Sequence, residues 1–186
     1  MISIAALWMP ILVSAVLVFI ASSIIHMAPL WHRSEYPKVP NEDKVMDALR
    51  PLAIPPGDYM LPRANDMKDM KSAAFTEKMN RGPVVIMTVL PHGCPSMARN
   101  LVRWFLYVVG VSVLAAYMTG NLLPPGTEYL TVFRFACTTA FIGYAVALWQ
   151  MSIWYKRSWS TTFRATLDGV IYGLLTGGVF GWLWPA

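Results

Sequence analysis

Charge is scarce in this chain. Of its 186 residues only 13% are Asp, Glu, Lys or Arg, about half the share usual in a soluble domain. What charge there is lies unevenly: 11 of the 15 Lys/Arg and 8 of the 10 Asp/Glu fall between Arg33 and Arg103. With 56% of the whole chain hydrophobic, the distribution excludes a soluble globular fold and leaves a membrane protein with one polar segment. Cysteine is nearly absent. Cys94 and Cys137 are the two present, too few for a disulfide framework. Histidine is limited to His26, His32 and His92, and none falls in the later apolar runs, which excludes a haem held between those helices. No phosphate-cradling glycine loop, zinc-protease motif or nucleophile elbow occurs. The net charge of +5 is interleaved with carboxylates, as in "NEDKVMDALR" and "NDMKDMKSAAFTEK", so no basic face suits nucleic acid and no nucleic-acid partner is expected.

What is present is apolar length. About 20 such residues cross a bilayer as a helix, and four stretches qualify: Ile2 to about Ile25, Leu101–Leu122, Tyr129–Trp154 and Thr166–Trp184. The first lacks a basic leader and a small-residue cleavage site, and so reads as a retained span rather than a signal peptide. The pattern predicts an all-α membrane protein with four transmembrane helices and a small cytoplasmic α+β segment. Residues 1–27 are the first helix, 28–97 the cap and 98–186 helices two to four. Basic residues fill the long segment and the link holding Lys156, Arg157 and Arg164, whereas the opposite loops have none. The positive-inside rule then puts the cap in the cytoplasm and both termini outside. Trp8, Trp182 and Trp184 fall at the outer interface, and Trp31, Trp104, Trp154 and Trp159 at the inner one.

The last stretch carries Gly169, Gly173, Gly177 and Gly181, one every fourth residue and so along one side of a helix. In lipid such a groove lets another backbone approach closely. Small stripes on the third stretch (Ala136, Ala140, Gly143, Ala147) and the second (Gly110, Ser112, Ala115, Ala116) could receive it, as could another copy or another subunit.

In the polar segment, Asn41 and the acids after it predict a short helix ended by Pro51. Asn65 or Asp66 caps a second helix reaching about Asn80, with Gly82 as its stop. "PVVIMTVLP" is a strand paired with the Tyr59 region, and Ser96 caps the second span. The combination "PLWHRSEY", "PNED", "PPGDYMLP" and "RGPVV", followed by three spans, resembles that of small uncharacterised multi-span bacterial membrane proteins. The resemblance implies a bacterial inner membrane and brings no activity or functional residue with it.

Ionisable residues inside spans are the natural functional suspects. They are Arg134 and Asp168, with Arg103 at the margin and Arg164 one turn before Asp168. Arg164 is expected to pair with Asp168, and Arg134 to snorkel or pair with Glu128. None lies at mid-membrane, which argues against a proton-coupled carrier. His26 and His32, with Met27 nearby, suggest a surface copper or zinc site, but no cysteine or acidic cluster in the sequence completes it. Cys94 in "PHGCPS" has His92 close by and no third orienting group, so it lacks the parts of a nucleophile. No catalytic residue, metal or cofactor is expected. The leading expectation is a non-catalytic accessory or scaffold subunit of a larger inner-membrane complex, with lipids and other membrane subunits or another copy as partners. A small homo-oligomeric transporter or channel is one alternative. A membrane enzyme or metal-binding protein using His26, His32, His92 or Cys94 is the other.

Overall fold

A computed structural model describes residues 1–27 and 32–186; Trp31 lies outside the described residues. In chain order, a short 3₁₀ turn (Ile4–Leu7) leads into α1 (Trp8–Met27). Next come α2 (Glu42–Leu49), β1 (Gly57–Leu61), α3 (Met67–Met70), α4 (Ala73–Arg81) and β2 (Val85–Val89). The rest is helical: α5 (Met97–Leu122), α6 (Tyr129–Ala145), α7 (Trp149–Ile153) and α8 (Trp159–Trp182), with a 3₁₀ turn (Val146–Leu148) joining α6 to α7. The chain divides into a helical unit, Met1–Tyr36 with Ser96–Ala186, and a second unit, Pro37–Pro95.

Three helical stretches are long and apolar enough to cross a membrane: Ile4–Met27, Met97–Leu122 and Tyr129–Ile153. The fourth expected span, α8, is 24 residues long. It carries Arg164, Asp168 and five glycines and is not among the three. Exposed tryptophans mark the helix ends, Trp8 and Trp182 at one pair and Trp154 and Trp159 at the other.

The helical unit is built on small residues. Of its helix pairs, α6 and α8 make the most extensive contact, and the glycine ladder is the reason. A Cβ at Gly169 would come 2.7 Å from the Ala145 Cβ, and one at Gly177 would lie 2.7 Å from the Cys137 Cβ and 2.8 Å from the Phe133 carbonyl oxygen. At Gly181 it would meet the Tyr129 ring at 2.7 Å. Only hydrogen fits at these positions. Gly143 turns the other way, toward Val111 of α5. The core falls into two clusters, one around Leu7, Ile11, Ala116, Val132 and Phe180, the other around Ala15, Val18, Val108, Ala140 and Tyr172. Buried hydroxyls add interhelical bonds: Ser14 Oγ donates to Ser112 Oγ (3.1 Å), and Ser152 and Thr162 share one at 2.7 Å.

In the second unit β1 and β2 form an antiparallel pair with Tyr59 opposite Met87, in agreement with the expected pairing. Thr88 donates across it to Asp58 (2.6 Å). Two details differ from expectation. Asn41 has a left-handed backbone (φ 53°) and makes no side-chain cap. The helix expected from Asp66 to Asn80 is two helices, because Ser72 accepts from the Phe75 N–H and starts a fresh one after the Lys71 turn. Among the described residues, none from Pro37 to Pro95 is buried.

Replacing Gly177 by alanine should lower the bundle's stability by about 1–3 kcal/mol, the usual cost of overpacking. A Cβ at Gly110 would find nothing within 4 Å, so Gly110→Ala should be neutral or stabilising by up to about 1 kcal/mol through helix propensity. Thermal unfolding of both variants in detergent checks the contrast.

Candidate functional site

The ends of α1, α5, α6 and α8 meet around a polar cluster that no single stretch of sequence displays. The 3₁₀ turn His32–Ser34 follows α1 and returns His32 toward α8. His32 Nδ1–H donates to Glu35 Oε1 at 2.7 Å, since a carboxylate can only accept. That fixes the ring, and the opposite nitrogen, Nε2, lies 2.9 Å from Asp168 Oδ2. His26, on the last turn of α1, sets its ring edge-on to His32 with centroids 4.4 Å apart. One ligand-type atom from each of His26, His32 and Asp168 falls within 4.8 Å of the others. The set runs from exposed His26 through half-buried His32 to Asp168, which is 4% exposed.

A cavity of about 630 Å³ adjoins this cluster. His26, His32, Glu35 and Asp168 form one side, and Trp104, Tyr107, Tyr144 and Tyr172 much of the other, with Arg103 and Arg157 also on its wall. The aromatic side is one packed group. Tyr144 and Tyr172 meet edge to face at 5.3 Å, and Trp104 lies within 6.4 Å of both. Trp104 is held by donating its indole N–H to Ser22 Oγ (2.8 Å), and Tyr107 by donating to the Gly143 carbonyl (2.7 Å). Tyr144 (6% exposed) and Tyr172 (3%) are different: their hydroxyls are buried and find no hydrogen-bond partner among the described residues. Burying a hydroxyl without a partner costs about 1–3 kcal/mol, and here the two residues concerned pack against each other in one wall. A second, mainly apolar cavity of about 430 Å³ shares His26, Asn100 and Trp104 with the first.

The other expected site residues fall as follows. Gly169, Gly173, Gly177 and Gly181 form the seam with α6, and Gly169 also lines the cavity next to Asp168. Arg164 is not paired with Asp168 among the described residues; its guanidinium donates to Ser34 Oγ (2.7 Å), while Asp168 faces His32. The i,i+4 spacing permitted the pair, but the returning His32 turn takes up the carboxylate. Arg134 is exposed on α6, and Glu128 accepts from Thr131 (2.9 Å) rather than from Arg134. His92 and Cys94 are exposed and belong to the second unit, so the grouping of all four His/Cys residues is not what the helical unit assembles. Glu35, Tyr144 and Tyr172 are site residues that sequence reasoning missed. Glu35 was visible as the acid three places after His32, and Tyr172 as an aromatic one turn beyond Asp168.

Chemically the cluster offers two imidazoles, two carboxylates and two unsatisfied phenols beside guanidinium groups. That is a set for holding a cation or an oxygen-bearing ligand; the thiol of Cys137 sits apart, in the seam against Gly173 and Gly177.

Tyr144→Phe should leave the bundle unchanged or more stable by about 1 kcal/mol, since it removes a buried hydroxyl that makes no bond. Tyr107→Phe, which loses the bond to Gly143, should be destabilised by a similar amount. Melting curves of the two variants in the same detergent test the difference.

Comparison with protein-family models, with curated proteins and with solved structures finds no match to this chain.

Proposed function

We propose that this protein is a four-span subunit of a bacterial inner-membrane assembly, non-catalytic in that assembly, with both termini on the periplasmic side and the Pro37–Pro95 unit serving as its docking element. The observation that carries the reading is the missing core of that unit. Fifty-nine residues with helices and a strand pair bury none of their side chains, yet expose Leu52 (64%), Met67 (65%) and Leu90 (67%). A two-stranded sheet is marginal by itself, and a unit of this size without a core must draw stability from a surface it lies on. Its charges favour a protein surface over anionic lipid. Eight Lys/Arg are matched by seven Asp/Glu, whereas lipid-binding segments concentrate basic residues. Exposed methionines such as Met67 and Met70 suit an adaptable protein contact.

The fourth span is supported by burial. Polar and small residues of α8, including Asp168, Thr176, Gly169, Gly173 and Gly177, are among its ten buried positions. A helix shielded by its neighbours need not be apolar on every side to lie in a membrane.

Extracted gently from its own membrane and weighed by native mass spectrometry, the protein should travel with unrelated subunits at fixed stoichiometry. Limited proteolysis should cut the 37–95 segment in the separated protein and spare it in the complex. A chain found alone or solely as a homo-oligomer, with the segment equally resistant in both preparations, would contradict the reading.

A further inference from the structure

We infer that His26, His32 and Asp168 bind one divalent transition ion of the zinc class, with Glu35 orienting His32 from behind and the remaining coordination position open to the tyrosine-lined cavity. This is independent of the docking role proposed for the other unit.

The donor set comes first. Two imidazoles and a carboxylate suit zinc and its first-row neighbours, whereas magnesium and calcium prefer oxygen throughout. Bonds of about 2.0–2.1 Å place neighbouring donors around a tetrahedral ion about 3.3 Å apart. The three ligand atoms already lie within 4.8 Å of one another, with His32 Nε2 and Asp168 Oδ2 at 2.9 Å, so gathering them around an ion takes shifts of about 1 Å. Glu35 supplies what metal-bound imidazoles characteristically have, a carboxylate on the far ring nitrogen that fixes the tautomer and raises basicity. Exposed His26 gives the ion a way in from the surface, and buried Asp168 a charged floor.

The same contacts without an ion would simply hold the His32 ring between two carboxylates. Two features go beyond that arrangement. A second imidazole, His26, is brought edge-on to His32, with a ring nitrogen within 4.8 Å of the other two ligand atoms. Tyr144 and Tyr172, whose buried hydroxyls find no hydrogen-bond partner among the described residues, belong to the wall of the adjoining space of about 630 Å³. Three protein ligands beside such a space are the hallmark of sites that keep a position for water or a substrate oxygen.

The test uses the full-length protein in nanodiscs, stripped with chelator and titrated with Zn²⁺ alone. One ion per chain should bind at micromolar or lower concentration, with excess Mg²⁺ failing to compete. His26→Gln, at an exposed position that leaves the melting temperature of the stripped protein unchanged, should weaken binding at least tenfold. Asp168→Asn should do the same, and Glu35→Gln should weaken it by about 10–100-fold as an outer partner. His92→Gln and Cys94→Ser should have no effect. With Co²⁺ in place of Zn²⁺, the visible spectrum should be that of a four- or five-coordinate ion and should shift on adding azide. Absence of a stoichiometric site in the unmodified protein would overturn the inference, as would binding indifferent to His26→Gln and Asp168→Asn or a six-coordinate, azide-insensitive cobalt spectrum.

Discussion

The close approach of α8 to α6 is the contact on which the rest of the helical unit depends. Hydrophobic collapse cannot hold helices together in lipid, where the surrounding tails are as apolar as the side chains, so van der Waals fit has to do it. Four glycines in register give that fit, with backbone and Cβ atoms of α6 occupying the volume a side chain would need. The seam sets the rotation of α8 about its axis, and that rotation decides where Asp168 and Tyr172 point. Gly169 is at once the first rung of the seam and a neighbour of Asp168 in the cavity wall. Packing and site are therefore one arrangement. A side chain forced into the seam should shift Asp168 as well as weaken the bundle.

Most of the helical architecture was legible in the sequence because its signals are long. Runs of about 20 apolar residues, a four-residue glycine period and a Ser96 cap are each read without knowing what lies opposite. The strand pair was legible too, from a β-branched run bounded by prolines and a short extended stretch around Tyr59 between prolines. Errors gathered where two local signals competed. Ser72 interrupts what looks like one helix, and Asn41 takes a left-handed backbone where capping was expected.

The site was mostly illegible, for a physical reason. His32 and Asp168 are far apart in sequence and meet through a turn after α1 that no periodicity predicts. From sequence, Asp168 has an obvious local partner in Arg164, and His26 and His32 lack acids to complete a ligand set. In the fold Arg164 donates to Ser34 instead, and two acids, Asp168 and Glu35, lie beside His32. The cavity draws its wall from several helix ends, which spacing along one chain does not display. The second unit shows the opposite case, in which regular elements are locally encoded but have no core of their own.

The central claim is that the chain after α1 turns back so that position 32 lies against position 168 on α8. It is tested most directly by oxidative cross-linking in native membranes of the double variant His32→Cys/Asp168→Cys, prepared with Cys94→Ser and Cys137→Ser. Peptide mass analysis should find a disulfide joining positions 32 and 168 in monomeric protein. Failure of that link to form, or its formation between chains, would mean that the bundle end is assembled differently and that these residues do not share a site.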